Sequence, residues 1–179
     1  AIDALARRRR FKRVLDMGCG SAILAIAALA CWPTARAFAC DLDPDSVRAA
    51  AANARDNGVD QRLRTAVCDG YDRPELQRAD RFDLVLANIL AGPLAEMAPD
   101  LAHTLAPGGH AVLAGLLNAQ AAQVCAAHRR QGLVLEGRRD VGSWTTLVFK
   151  KPVAARHRPR VRRPSRSEER RVGKECTLR

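Results

Sequence analysis

The stretch R-V-L-D-M-G-C-G-S-A-I-L, Arg13 to Leu24, decides how the rest of the chain is read. Val14 and Leu15 begin a short apolar run that Asp16 closes, Gly18 and Gly20 punctuate it, and from Ile23 onward the pattern is helical. This order predicts a strand, a tight glycine turn and a helix N-terminus. Glycine lets the backbone approach a ligand with no Cβ in the way, and the first helical turn aims free N–H groups at whatever sits above it. Many nucleotide-binding folds use such a turn, so alone it is a weak signal.

The spacing sharpens it. The turn reads D-x-G-x-G-x-A, and a second apolar run ends at Asp41, 21 residues after Gly20. A dinucleotide site would place a third small residue three positions after the second glycine. That position is Ile23, and the small residue Ala22 comes one earlier. The combination of Asp16, Gly18, Gly20 and Asp41 resembles the cofactor site of class I S-adenosylmethionine-dependent methyltransferases. The plain alternative is a glycine turn that only connects strand to helix.

Length and charge bound the reading. A chain of 179 residues suits one domain with a substantial core. No apolar run approaches the roughly 18 residues of a membrane span, no secretory leader is visible, and A-I-D-A-L-A-R-R-R-R looks like the end of a helix, as if the chain begins inside a larger protein. The net charge is +11, but 11 of the 30 Lys and Arg and only three of the 19 Asp and Glu fall in residues 151–179. The remaining 19 basic and 16 acidic side chains leave the folded part nearly neutral, so it requires no nucleic-acid partner. The six cysteines form no C-x-x-C pair and have no histidine at metal spacing. They read as small hydrophobes of a reduced cytoplasmic protein with no metal site, Cys19 being a filler whose backbone matters.

Along the chain, strands are expected at about 13–17, 35–40, 63–67, 82–87 and 110–115, with helices at 22–30, 44–57, 94–105 and 118–131. Asp43-Pro44-Asp45 has the order of an N-cap, a first helical residue and a first-turn acid. Asp43 therefore has a capping task, whereas Asp41 faces the crevice, where a carboxylate can accept from two ribose hydroxyls. Asp69, after the third strand, belongs either at the adenine edge or in a turn. Asn88 ends a buried strand, so its amide needs either a ligand or a helix end to cap. Asn118 is expected to cap the last helix, and 133–141 with 144–150 to form an antiparallel hairpin about Gly142-Ser143. The sum is an α/β, doubly wound, Rossmann-like sheet of seven strands, mostly parallel, with one antiparallel strand in the C-terminal hairpin. Residues 152–179 are too basic and too poor in large aliphatics to pack, so disorder is expected there. R-S-E-E-R-R-V-G-K-E-C, Arg166 to Cys176, looks like translated adaptor sequence.

With these residues in hand, V-L-D-M-G-C-G-S-A-I-L-A-I-A-A-L, C-D-L-D-P-D-S-V, A-N-I-L-A-G-P-L, L-A-P-G-G-H and W-T-T-L-V-F-K resemble the catalytic domain of the ribosomal protein L-eleven methyltransferase family (PrmA), over about residues 1–150. The resemblance implies methyl transfer from S-adenosyl-L-methionine to lysine and N-terminal amines of a large-subunit ribosomal protein by a cytoplasmic monomer. Carried over, Gly18, Asp41 and Asn88 are cofactor contacts, and Asn88 also lies where the acceptor amine arrives. Three departures stand out. Ala22 replaces the third glycine of the family's G-x-G-x-G and would put a methyl beside the methionine moiety, the loop before the second strand is a residue longer, and the family's N-terminal recognition domain is missing. Two rivals remain open: a methyltransferase of a small molecule or nucleic acid, and a non-catalytic cofactor-binding fragment.

Overall fold

In the computed structural model, which describes residues 1–153, helix α1 (Ile2–Ala6) leads into β1 (Arg13–Met17), α2 (Ile23–Cys31), β2 (Arg36–Asp41), α3 (Pro44–Asp56) and β3 (Leu63–Val67). After an irregular stretch come β4 (Phe82–Asn88), α4 (Ala91–Glu96), α5 (Ala98–Thr104), β5 (Leu105–Leu117), α6 (Ala121–Arg130), β6 (Val134–Val141) and β7 (Trp144–Lys150). The expectations for the basic tail concern residues beyond 153 and lie outside the described ones.

One sheet of seven strands has the order β3-β2-β1-β4-β5-β7-β6. β1 pairs in parallel with β2 and β4, and only β7 runs against the rest. The chain moves outward from β1 through β2 and β3, then returns to the other side of β1 with β4. This reversal leaves a crevice beyond the carboxyl ends of β1, β2 and β4, where open α/β sheets hold their ligands.

Alternation along the central strands divides two cores. Leu15, Met17, Phe38 and Cys40 face Leu94, Leu101 and Val124 of α4, α5 and α6. Val14, Ala37 and Ala39 face Ala25, Ala28 and Leu29 of α2 and Ala50 and Ala54 of α3, where small residues let helix and strand approach closely. Trp32 fills the end of this layer, its ring 4.9 Å from that of Phe11 and its Nε1 donating to the Arg9 carbonyl at 3.1 Å. The alanine-rich sequence of the helix expected over 22–30, with Ile23, Leu24, Ile26 and Leu29, implies a helix largely buried between its neighbours. In α2, Ala25, Ala28 and Leu29 are buried, whereas Ala27, Ala30 and Ile23 are exposed, Ile23 to 69%.

Three other expectations are corrected. The helix expected over 94–105 is two, because Pro99 supplies no N–H and the chain breaks at Met97, leaving Pro99 in the first turn of α5. β5 starts at Leu105 rather than His110: Leu105 pairs with Phe82, a bulge follows, and Gly108 and Gly109 exchange backbone hydrogen bonds with Lys151. Asn118 does not cap α6. Its Nδ2 donates to the Gly142 carbonyl at 3.0 Å and its Oδ1 accepts from Thr145 Oγ1 at 2.9 Å, so it fastens the β6–β7 turn to the end of β5.

Candidate functional site

The turn between β1 and α2 is built from left-handed residues in near succession: Gly18 at φ +64°, Gly20 at +52° and Ala22 at +60°. A Cβ on Gly18 would run into Ile89 Cγ2, so glycine at this position lets the tip of β4 close over the turn without displacing the Ile89 side chain. A Cβ on Gly20 would meet nothing within 4 Å, and this bare backbone faces open space. Ala22 is fully buried with the α2 layer. Its methyl therefore points into the core, not to the crevice where a methionine moiety was expected to meet it.

Two carboxylates hold the turn from opposite sides. Asp41 Oδ2 accepts from Gly20 N–H at 2.8 Å and Oδ1 from Asp43 N–H at 3.0 Å, leaving further lone pairs on a half-buried group. Asp16 is fully buried beneath, its Oδ2 accepting from Ala25 N–H at 2.9 Å and its Oδ1 without a partner among the described residues. Burial, opposed by the Ala25 hydrogen bond and aided by the charge of Asp41, pushes the Asp16 carboxyl up to about 7. Asp16 thus supports the turn from below, and Asp41 joins the tip of β2 to it. Asp43 caps α3, accepting from the N–H groups of Asp45 and Ser46.

Cys19 within the turn is spoken for. Its N–H donates to the Cys40 carbonyl at 3.0 Å, and burial together with the charges of Asp16 and Asp41 pushes its thiol up to about 12. A thiol so far from ionising is no nucleophile at neutral pH.

Asn88 ends β4 exposed. Helix α4 is entered at Leu90 with no side-chain cap, and the Asn88 amide makes no hydrogen bond among the described residues, so the capping alternative is not realised. It lines a cleft of about 590 Å³ with Leu90, Gly115, Trp144 and Thr146. Gly115 was not singled out from the sequence. At φ +79°, a Cβ there would lie 2.5 Å from the Ile89 carbonyl oxygen and 2.9 Å from its nitrogen. A glycine inside a strand is the signal that could have found it. Ile89 is thus held between Gly18 and Gly115, which couples the glycine turn to the Asn88 tip.

Asp69 stands one strand farther out. Its N–H donates to Asp72 Oδ1 at 3.2 Å and its carbonyl accepts from Asp72 N–H, which is a turn; its exposed carboxylate opens on a separate cleft with Tyr71, Met97 and Asp100. The structure therefore brings Asp16, Gly18, Gly20, Asp41 and Asn88 around the β1, β2 and β4 tips, with Asp69 at the margin. No cluster of metal-binding side chains occurs among the described residues, and no described helix is long and apolar enough to cross a membrane.

The crevice fits a ligand that needs bare backbone and a free carboxylate, and comparison with known proteins narrows this. The profile described as Ribosomal protein L11 methyltransferase (PrmA) matches residues 1–152. The chain belongs to the ribosomal protein L11 methyltransferase family. Among curated members, it is 43% identical over 150 residues to the one from Bradyrhizobium diazoefficiens, covering 84% of this chain and 50% of that protein. It is 45% identical over 141 residues to the one from Chromohalobacter salexigens, covering 78% and 45%. It spans about half the length of the curated relatives it matches. A solved ribosomal protein L11 methylase from Lactobacillus delbrueckii subsp. bulgaricus has a TM-score of 0.72 and 28% identity, covering 84% of this chain and 74% of that one. The [4+2]-cyclase SpnF superposes almost as well, TM-score 0.71 at 17% identity, covering 85% and 80%. At that identity the likeness shows the fold alone, so the chemistry must be argued from the site.

Proposed function

We propose that this family member is the methyl-transfer domain of a protein methyltransferase that uses S-adenosyl-L-methionine and acts on lysine and N-terminal amino groups of ribosomal protein L11 in the cytoplasm, as a monomer. The observation that carries the reading is the Ile89 clamp. A donor bound on Gly18 and Gly20 and an amine received at Asn88 would be neighbours, because Ile89, next to Asn88, packs against Gly18.

When bound, the cofactor supplies an electrophilic methyl on a sulfonium whose departure leaves a neutral thioether, so no strong general acid is required. The chain's own residues bind, orient and dry the site. Asp41 accepts from the ribose hydroxyls with the lone pairs left over from Gly20 and Asp43. Gly20 gives the methionine end room, and Asp16 fixes the first turn of α2. Asn88, unpartnered among the described residues, would accept from the incoming neutral amine and hold its lone pair toward the methyl, while Leu90 and Trp144 strip water from it; the methylated ammonium would then release its proton to solvent. Positioning of this kind supplies several kcal/mol.

Asn88→Ala is expected to lower the methylation rate of the ribosomal protein at least tenfold while S-adenosylhomocysteine affinity, measured by calorimetry, changes less than threefold. Equal losses in both would remove Asn88 from the acceptor side.

A further inference from the structure

At the opposite end of the sheet from the crevice, the strands begin with a convergence of arginines. Arg13 opens β1, Arg36 opens β2, Arg62 precedes β3, Arg64 lies within it and Arg81 precedes β4. Arg13 and Arg36 are register partners, and Arg64 stands opposite Phe38. All five line one cleft of about 380 Å³ whose wall includes no carboxylate.

Two features separate this cleft from an ordinary solvated basic face. None of the five arginines makes an ion pair among the described residues, although arginines elsewhere on the fold find Asp3, Asp45, Glu75 and Asp140. Neighbouring acids are engaged: Asp83 accepts from the backbone N–H groups of Lys12 and Arg13, Asp60 from the Gln61 side chain, and Glu75, which also feels the charge of Arg64, from Arg73. Several of the guanidinium groups are also held in place. Arg62 Nη1 donates to the carbonyls of Leu29 and Ala35 at 3.2 and 3.4 Å, Arg36 Nη1 to that of Gln61 at 3.4 Å, and Arg81 lies 5.8 Å from the Phe82 ring centre. Each guanidinium has five N–H donors, so most remain available to a ligand.

Like charges fixed around one concavity repel, and anions from solution relieve that repulsion. A guanidinium fork matches the oxygens of phosphate, and one phosphate is satisfied by about two such forks. Five forks fit neighbouring phosphates better than a single one. We infer that the cleft formed by Arg13, Arg36, Arg62, Arg64 and Arg81 is a binding site for ligands that carry two or more adjacent phosphates. Either an RNA backbone or a free polyphosphorylated nucleotide presents that chemistry. The site lies across the sheet from the cofactor crevice and stands independently of the methyl-transfer reading.

Thermal melting of the full chain tests it, because a rise in melting temperature counts only binding that the folded state favours. Inorganic tripolyphosphate at a hundredfold excess over its dissociation constant should raise the wild-type melting temperature by about 5 °C or more relative to sodium chloride of equal ionic strength. In Arg36→Gln/Arg64→Gln more than half of that rise should disappear, whereas Arg8→Gln/Arg139→Gln, a pair in the turn after α1 and on β6, should keep it. Repeating the melts with an RNA duplex of ~16 base pairs separates the sources. A variant-sensitive rise with RNA assigns the backbone, and a rise with tripolyphosphate alone assigns a soluble ligand. No rise in the wild type, or an equal rise in Arg36→Gln/Arg64→Gln, overturns the inference. Calorimetry with S-adenosylhomocysteine should be unchanged in that variant, which shows an intact fold and keeps failure here distinct from failure of the cofactor reading.

Discussion

Gly18 and Gly20 share a backbone conformation and serve different ends, and alanine at each tells them apart. At Gly18 the added methyl meets Ile89 and the left-handed backbone together, so Gly18→Ala should cost roughly 2–4 kcal/mol in urea unfolding. At Gly20 it meets open space, so Gly20→Ala should cost only about 1–2 kcal/mol yet weaken S-adenosylhomocysteine binding at least tenfold. Equal stability losses, or unchanged binding in Gly20→Ala, would contradict this division. Asp16 gives a pH signature of its own. Its carboxyl ionises near 3.8 when unfolded and at about 7 when folded, so folding favours the protonated acid. That contribution is fully present below pH 3.8 and is lost as pH rises through 7. Between about pH 4 and pH 8, the unfolding free energy of Asp16→Asn should therefore gain on wild type by on the order of 3 kcal/mol. A gap that does not change with pH would place Asp16 in a more polar setting than its burial implies.

At the scale of elements, the strands and caps were legible wherever one residue type had one task. Val14, Leu15, Phe38, Leu84 and Val85 announce buried strands, and Asp43-Pro44 announces a helix start that the structure repeats. Misreadings came where a residue could serve two elements. Asn118 has cap chemistry but spends its amide on the hairpin turn, Pro99 starts a new helix inside an apolar pattern, and Gly108-Gly109 forms a bulge where a loop was expected. Gly115 went unnoticed because its reason is a neighbour 26 positions away in sequence, the Ile89 backbone. Gly115→Ala should push that backbone outward, lowering methylation more than S-adenosylhomocysteine affinity and destabilising the fold by at least about 2 kcal/mol. Unimpaired methylation with Ala at this position would show that the β4 tip needs no support from β5.

For the whole molecule, topology was readable because strands and helices alternate through most of the chain, and the reversal after β3 is the step that creates a crevice. Which side chains meet there was less readable. Spacing predicted acids at strand ends, but only packing shows that Asp16 lies under the turn, Asp41 beside it and Asp69 in a turn of its own. The central claim is that the tips of β1, β2 and β4 enclose one site for a methyl-donating nucleoside. Titration calorimetry of the full chain with S-adenosylhomocysteine, wild type against Asp41→Ala and Asp41→Asn, tests it most directly. Saturable binding by wild type and a loss of roughly 10- to 100-fold in both variants is predicted, the worth of charged hydrogen bonds to the ribose. No binding by wild type, or equal affinity in all three proteins, would contradict it.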